Sequence, residues 1–474
     1  MKKNAPTIVW FRLDLRTLDN PALWEASQNG SVIPVFIWSP NEEDITLGAA
    51  SRWWLHHSLE KLGAKLRELG GKLILRSGKS LQNLKSLAKN TGARAVYWNR
   101  RYEPLIQKRD DKIENELKEI GLEVKVFKAN LLAEPSEVEN KSGLPFKVFT
   151  PFWRQCLKQL NTEKPLQPPK NFEKHELEPE SCNLSDLNLK PNHSWAQGLE
   201  HEWNPGESNA HLNLKLFINE ALKKYTEARN FPDCQGTSRL SPHLRFGEIS
   251  PKQIWHAIKE SGEENWKESQ YLAEIGWREF GYHLLYHFPH TISESLRPAF
   301  NRFEWADNSD HLRAWQQGQT GYPLVDAGMR ELWATGWMHN RVRMVVASFL
   351  VKHLLIDWRR GAEWFWDTLV DADLASNTQG WQWTAGCGAD AAPYFRIFNP
   401  ITQSKKFDPK GSYIHRWVPE LRGLKPPYLF EPWNAVDIEL SAAGIRLGEN
   451  YPYPIVDHSE SRIRALKAYE KIKK

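Results

Sequence analysis

The stretch Thr7-Ile8-Val9-Trp10-Phe11-Arg12-Leu13-Asp14-Leu15-Arg16 decides how the first third of the chain folds. Its first five residues are rich in β-formers and read as a strand. Four similar runs follow at Val32–Trp38, Lys72–Arg76, Ala95–Asn99 and Glu123–Phe127. Helical patterns lie between them, near Asp19–Gln28 (opened by Asn20-Pro21), Ala49–Leu69, Leu81–Lys89 and Gln107–Ile120. In the second of these, Trp53, Leu55, Leu59, Leu62 and Leu66 recur near helical spacing. Five strands separated by helices predict a parallel, doubly wound α/β sheet. Such a sheet invites a dinucleotide at the turn after its first strand. Here that turn runs from Arg12 to Arg16 with no glycine to let a pyrophosphate approach the backbone. A cofactor therefore belongs elsewhere in the chain.

The chain has 474 residues, enough for two to three domains of roughly 100–200 residues each. Between 161 and 210 periodicity fades, and Pro165, Pro168, Pro169, Pro179, Pro191 and Pro205 accumulate, as in a surface connection. From His211 onward the pattern is helical. The expected organisation is an α/β domain over 1–130, a connection over 131–210 and an all-α domain over 211–474. With 41% hydrophobic and 26% charged residues the composition is that of a globular protein and excludes a disordered one. Against 63 Lys+Arg stand 58 Asp+Glu, and a net charge of +5 neither demands nor excludes a nucleic-acid partner. Cys156, Cys182, Cys234 and Cys387 have neither CxxC nor zinc-ligand spacing and read as reduced thiols. Met344–Val351 is among the longest apolar runs and falls far short of the ~20 residues of a membrane helix. The apolar stretch behind Met1-Lys2-Lys3 is too short for a signal-peptide core, so the expected location is the cytoplasm.

The chain carries 23 tryptophans, too many to read as core filler by default, and most fall in the helical half among polar residues. Four strings concentrate the chemistry. Gly236-Thr237-Ser238-Arg239-Leu240-Ser241-Pro242 combines hydroxyls, an arginine and a helix start, either a phosphate cradle or an ordinary helix N-terminus. In Glu274-Ile275-Gly276-Trp277-Arg278-Glu279-Phe280, Glu274 and Arg278 are i,i+4 neighbours and on an exposed helix would be a surface ion pair. Trp337-Met338-His339-Asn340-Arg341-Val342-Arg343-Met344 offers a histidine that reads as structural in preference to catalytic. Asp371-Ala372-Asp373-Leu374-Ala375-Ser376-Asn377-Thr378-Gln379-Gly380-Trp381-Gln382-Trp383 places two carboxylates at i,i+2 without Cys or His, which argues against a metal. Carboxylates in such apolar surroundings need partners, and Arg341 and Arg343 are the natural ones.

These strings occur in order with Trp10-Phe11-Arg12-Leu13-Asp14-Leu15-Arg16 and with Ala392-Pro393-Tyr394-Phe395-Arg396-Ile397-Phe398-Asn399-Pro400. Together they resemble the photolyase/cryptochrome family, and within it the cyclobutane pyrimidine dimer photolyases, from Val9 to about Leu421. Ser51-Arg52-Trp53-Trp54-Leu55 and Tyr97-Trp98-Asn99-Arg100-Arg101-Tyr102-Glu103-Pro104 resemble the bacterial subgroup nearest the plant cryptochromes, called class III.

The resemblance implies FAD, bound non-covalently in the helical domain and active in its reduced form. Tyr225, Thr237, Ser238, Arg239, Leu240 and Ser241 would hold its phosphates, and Arg278, Trp337, Asn340 and Arg343 would line it. Asp371 would pair with Arg343, Asp373 would bond the ring edge, and Asn377 would face the flavin N5, where a neutral amide suits the anionic reduced flavin. UV-damaged DNA is the implied partner. Trp277 and Trp383 would stack on the flipped-out dimer and Met344 would close the pocket. Glu274, protonated by an apolar setting, would donate to a pyrimidine carbonyl. Arg229, Arg341 and Arg396 would contact phosphates, on a face where residues 340–416 carry ten Lys/Arg and seven Asp/Glu. Trp381, Trp358 and Trp305 would form the tryptophan chain that reduces oxidised flavin. The implied reaction is light-driven electron transfer from FAD to the dimer, which splits to monomers, in an enzyme acting as a monomer and without a metal.

The Asn-Glu pair that binds a folate antenna in many family members is here Leu105-Ile106. An antenna is therefore differently placed or absent, with methenyltetrahydrofolate preferred to 8-hydroxy-5-deazaflavin. A cryptochrome-like photosensor is the alternative. Plant cryptochromes carry Asp where Asn377 stands, and cryptochromes of that kind extend well beyond the FAD domain, whereas this chain ends about fifty residues after Leu421. Both features favour repair. Repair of the (6-4) photoproduct calls for paired histidines, and Met338-His339-Asn340 supplies one.

Overall fold

A computed structural model of the chain describes residues 5–160, 163–173, 178–191, 194–391 and 395–473. Ala392, Pro393 and Tyr394 of the last family string lie outside the described residues. The chain divides into two compact units. One runs as far as Ala196 and adds Trp203–Glu220 and Ser238–Pro289; the other comprises Gln197–Glu202, Ala221–Thr237 and the chain from His290 onward. The units do not follow divisions at 130 and 210. The segment anticipated as a connection belongs largely to the sheet-bearing unit, and so does Ser238–Pro289.

The first unit is built on five parallel strands, Thr7–Phe11 (β1), Val32–Trp38 (β2), Ile74–Ser77 (β3), Ala95–Asn99 (β4) and Glu123–Phe127 (β5). Their order is β3-β2-β1-β4-β5. In register, Thr7 of β1 lies opposite Val32 and Ala95. Parallel neighbours need crossovers, and the helices Pro21–Gln28, Ala49–Glu68, Ser80–Thr91 and Pro104–Glu119 supply them. β3 begins two residues later than the sequence pattern suggested. Ile8, Trp10, Val35, Val96 and Trp98 form the centre of the core, with Trp10 and Trp98 edge to face at 5.7 Å.

The turn after β1 explains why no dinucleotide fits there. Asp14 turns its carboxylate back to accept from the Arg12 backbone N–H at 2.6 Å and from Asn99 Nδ2 at 2.6 Å. A buried, hydrogen-bonded carboxylate thus fills this glycine-free turn. Asn20 caps the next helix by accepting from the Leu23 N–H at 3.1 Å and also accepts from Asn99 Nδ2 at 2.8 Å, which ties the ends of β1 and β4 together.

The proline-rich segment is no free surface loop. Its Ser181 Oγ accepts from the Leu75 N–H at 2.9 Å, and the Cys182 N–H donates to the Leu75 carbonyl at 3.0 Å. Leu75 belongs to β3, the edge strand, so the segment covers backbone groups that an edge leaves exposed. Elsewhere in this unit Phe149–Gln159 packs on Gln270–His287, where Gly276 lets the Trp153 ring approach so closely that a Cβ would lie 2.6 Å from it.

The second unit is helical. Pro323–Thr335, Asn340–Ser348, Trp358–Thr368 and Leu374–Ala385 form its centre. Asn340–Ser348 continues into a π-helical turn, Phe349–His353, and the last helix, His458–Lys473, docks on that turn. Gly386, at φ +94°, ends Leu374–Ala385 in the left-handed conformation that favours glycine. The protein therefore joins an α/β sheet to an all-α half, as its sequence pattern predicts.

Candidate active site

In the second unit, several implied cofactor residues meet. Arg343 donates through Nη2 to Asp371 Oδ2 at 2.8 Å and through Nε to the Met338 carbonyl at 2.7 Å. Its guanidinium lies 5.9 Å from the Trp337 ring centre. Asp371 is buried, so this pairing meets the requirement that a buried charge have a partner. Asp373, also buried, caps Leu374–Ala385 by accepting from the Ser376 N–H at 2.8 Å. One oxygen of Asp371 is thus engaged by an arginine and one oxygen of Asp373 by a helix start.

Asn377 lies one turn into that helix. Its Nδ2 donates to the Ala362 carbonyl of Trp358–Thr368 at 3.0 Å. This bond fixes which end of the amide is which, because a carbonyl can only accept. The Asn377 Oδ1 is left as the end able to receive a hydrogen bond from a ligand.

Asn340 is exposed at the first position of its helix. His339 precedes it as the cap, its Nδ1 accepting from the Arg341 N–H at 3.2 Å. Burial, with Arg341, Arg343 and Arg229 nearby, pushes the imidazole down to about 4. His339 is therefore a neutral structural histidine. Arg341 bonds Asn230, reaches Met344 Sδ at 3.7 Å and lies 4.6 Å over the Phe407 ring. Arg229 lies over Tyr225, which is buried. Arg396 is exposed, while its carbonyl accepts from the buried Lys352 amine at 3.1 Å.

The three tryptophans of the implied chain all belong to this unit. Trp358 and Trp381 are buried and Trp305 is half-buried. Trp381 has Phe365 at 5.0 Å and Trp315 at 6.2 Å as neighbours, Trp358 has the Arg359 guanidinium at 4.9 Å, and Trp305 has Phe303 at 4.4 Å. Trp381 is seated by Gly361: a Cβ there would lie 2.1 Å from the indole. Trp383, two positions on, is half-buried on another side of the helix. Neither Gly361 nor the Ala362 carbonyl was signalled by the sequence motifs.

The first unit holds the remaining residues. Trp277 is 37% exposed and stacks on Phe149 with ring centres 3.8 Å apart and planes 9° off parallel. Arg278 does not pair with Glu274. It donates to the Asn130 carbonyl at 2.8 Å, approaches Glu279 at 3.3 Å and lies over Tyr282. Glu274 is half-buried and accepts from Gln270 at 2.8 Å, so its setting is more polar than the apolar one anticipated. Glu279 is the buried carboxyl of this helix; burial pushes it up to about 7 while the Leu132 and Ala133 N–H groups bond it.

Thr237 closes a segment of the second unit and Ser238 opens a segment of the first. Arg239 adopts φ +52°, unusual for a residue with a Cβ, and its guanidinium lies 4.1 Å over Trp203. The Leu240 N–H approaches Ser238 Oγ at 3.4 Å. Ser241 is exposed at the start of a helix only five residues long, Ser241–Arg245, a weaker phosphate seat than the motif suggested.

Fold and residues together define a flavoprotein of the photolyase/cryptochrome family, and the chain belongs to that family. The family model for the FAD binding domain of DNA photolyase matches residues 271–471, and that for DNA photolyase matches residues 7–170. The chain is 50% identical to the deoxyribodipyrimidine photo-lyase of Agrobacterium fabrum over 100% of its own length and 99% of that protein. It is 43% identical to cryptochrome-1 of Arabidopsis thaliana over 98% of its length and 70% of the plant protein. A crystal structure of a bacterial class III photolyase from Agrobacterium tumefaciens superposes with a TM-score of 0.97 at 49% identity, covering 100% of this chain and 98% of the other.

The residues fit FAD. The Asn377 amide turns its acceptor end away from Ala362, which suits a ring N–H, and Arg343 locked to Asp371 is a fixed cation suited to an anionic ring system. Among the described residues no helix is long and apolar enough to cross a membrane.

Proposed function

We propose that this chain is a deoxyribodipyrimidine photo-lyase, a carbon–carbon lyase that repairs cyclobutane pyrimidine dimers in DNA under light. Reduced FAD, when bound, supplies the electron that opens the cyclobutane ring. The observation that carries the reading is Asn377, a neutral amide held by the Ala362 carbonyl in a family whose sensors of the plant type carry Asp there. The relatives named as photo-lyases, 50% identical in Agrobacterium and 38% in Escherichia coli, support it.

Photolyases act on a nucleotide extruded from the stack, at a cost of a few kcal/mol, and the protein's part is to receive it. In this reading Trp277 and Trp383 stack on the bases, Met344 contacts the lesion, and Glu274, when it carries a proton, donates to a pyrimidine carbonyl. Arg229, Arg341 and Arg396 neutralise backbone phosphates. Tyr225, Thr237, Ser238, Arg239, Leu240, Ser241, Arg278, Trp337, Asn340, Asp371 and Asp373 hold the cofactor. Trp305, Trp358 and Trp381 carry electrons inward to oxidised FAD. In this division of labour the α/β sheet serves as an antenna-type domain and the helical part of the chain binds FAD and DNA, in a cytoplasmic monomer.

The same reading takes a second chromophore, methenyltetrahydrofolate in preference to 8-hydroxy-5-deazaflavin, and a small cleft at the carboxyl ends of β1 and β2 supports it. That is where parallel sheets bind ligands, and Trp10, Trp38, Arg101 and Arg109 line the cleft. An absorption spectrum of the purified protein tests it, through a band beyond those of flavin.

The similarity to Arabidopsis cryptochrome-1 supports a second reading, a photosensor without repair. One experiment decides between the two. The FAD-loaded protein, chemically reduced, is illuminated with an oligonucleotide containing one thymine dimer. Conversion to monomeric thymines under light and not in darkness is expected. Dimer that survives illumination would overturn the repair reading.

A further inference from the structure

One face of the Trp277 indole is covered, and the side chain as a whole is partly exposed. Phe149 lies flat against the inner face with ring centres 3.8 Å apart. Phe149 is itself buried, whereas Trp277 is 37% exposed. The edge of the indole is held as well, since Phe280 meets it at 72° and 5.9 Å. The two helices that carry this stack have little freedom to slide. Gly276, beside Trp277, receives the Trp153 ring in space that no other side chain leaves free. Phe152 packs on Phe280 at 5.1 Å and on His283 at 4.9 Å.

A flat aromatic backing restricts an indole to rotamers whose plane is parallel to its own, because offset stacking is lost when either ring tilts. An unbacked indole at an exposed helix position samples several rotamers, and fixing one on binding costs affinity. We infer that Phe149 is a positioning residue for lesion recognition: it holds the Trp277 indole in the one orientation whose outer face accepts a flipped-out base. Phe149 acts through Trp277 and does not itself meet the DNA. The inference rests on the proposed reading of Trp277 as a base-stacking residue.

The test uses the full-length, FAD-loaded protein. Phe149→Leu keeps an apolar side chain of similar volume but removes the flat ring, and Phe149→Tyr keeps the ring. Phe149→Met stands in should the leucine variant fail to load FAD. Affinity is measured for a duplex containing one thymine dimer and for the same duplex undamaged, and repair is followed at limiting and saturating DNA. Phe149→Leu is expected to weaken binding of the damaged duplex about ten-fold, a fraction of what a full stacking contact provides, and to leave the undamaged duplex unaffected. KM should rise by a similar factor and kcat fall much less. Phe149→Tyr should bind within about two-fold of the parent. On a Trp277→Ala background Phe149→Leu should cost nothing further.

Equal losses for damaged and undamaged DNA would overturn the inference, as would unchanged lesion affinity or additive losses on the Trp277→Ala background. If Trp277→Ala alone leaves lesion affinity unchanged, the base-stacking reading falls first, and the inference with it.

Discussion

Asn377 shows how a single side chain is set by its neighbour. The Ala362 carbonyl takes its Nδ2, and the amide cannot turn over without placing two acceptors face to face. Asn377→Asp does just that, and it also adds a negative charge where the reduced flavin is itself anionic. Both effects act in one direction. The variant is expected to bind FAD, to show a lower midpoint potential for full reduction in a redox titration, and to repair fewer dimers per absorbed photon. An unchanged potential would mean that the amide has no electronic role. The identity of Asn377 was readable from the sequence because it sits in a motif. The bond that orients it was not, since Ala362 is fifteen positions away with nothing in its side chain to mark it. That a buried carboxylate needs a cation pointed to Arg341 or Arg343, and the family resemblance singled out Arg343 for Asp371, the pair the structure contains. For Arg278 the i,i+4 spacing offers Glu274 as a partner, while the fold offers the Asn130 carbonyl and Glu279 instead.

Helices are joined here at glycines, and one such joint bears on electron transfer. Trp358–Thr368 and Leu374–Ala385 approach where Gly361 meets the Trp381 ring. Gly361→Ala would place a methyl 2.1 Å from the indole, so the ring must move or the helices part. Overpacking of this kind costs typically about 1–3 kcal/mol. The expected result is a lower melting temperature together with slower photoreduction of oxidised FAD, and repair by the chemically reduced protein should change less. Photoreduction at the parent rate would show that the position of Trp381 is not critical.

Replacement of Trp305, Trp358 or Trp381 singly by Phe makes a complementary prediction. The apolar bulk is largely retained, but phenylalanine is far harder to oxidise. Blue light with an external reductant should leave each variant largely oxidised, while the pre-reduced variants still repair. Survival of photoreduction in all three would return these residues to the core. The strands and crossover helices were readable to within about three residues at each end, because a parallel sheet is written as apolar runs with helical patterns between them. The role of residues 178–182 was not. Edge cover uses backbone groups, and any sequence free to extend can supply them.

Across both units the chain buries histidines, and this sets a pH dependence for the whole protein. Burial pushes His283, with His287 beside it, down to about 3, and His353, beside His458, Arg464 and Lys352, also to about 3. His339, beside its three arginines, falls to about 4. Each folded value lies below the unfolded value of 6.5, so the unfolded chain binds more protons between them. The stability these groups contribute is fully present above pH 6.5 and is lost as pH falls toward 4 and 3. Buried carboxyls oppose them, among them Asp326, which burial raises. Glu279 is raised to about 7 and Asp408 to about 6, so each contributes stability that is present at low pH and lost as pH rises through the raised value. Lys352 is lowered to about 7, so its loss is complete near neutrality and adds little below it. Between pH 7 and 5 the buried imidazoles therefore lose stability while the raised carboxyls regain part of it, and the expected net change is a fall. The melting temperature of the FAD-loaded protein is expected to drop by a few degrees from pH 7 to pH 5, at the low end of the shift per kcal/mol because the chain is long. His339→Asn keeps an acceptor at the helix cap and removes one titrating group, so its melting temperature should fall less steeply over the same range. A melting temperature that is flat or rising from pH 7 to pH 5 would mean that the carboxyls outweigh the histidines. A His339→Asn slope equal to the parent's would mean that this imidazole is not held neutral.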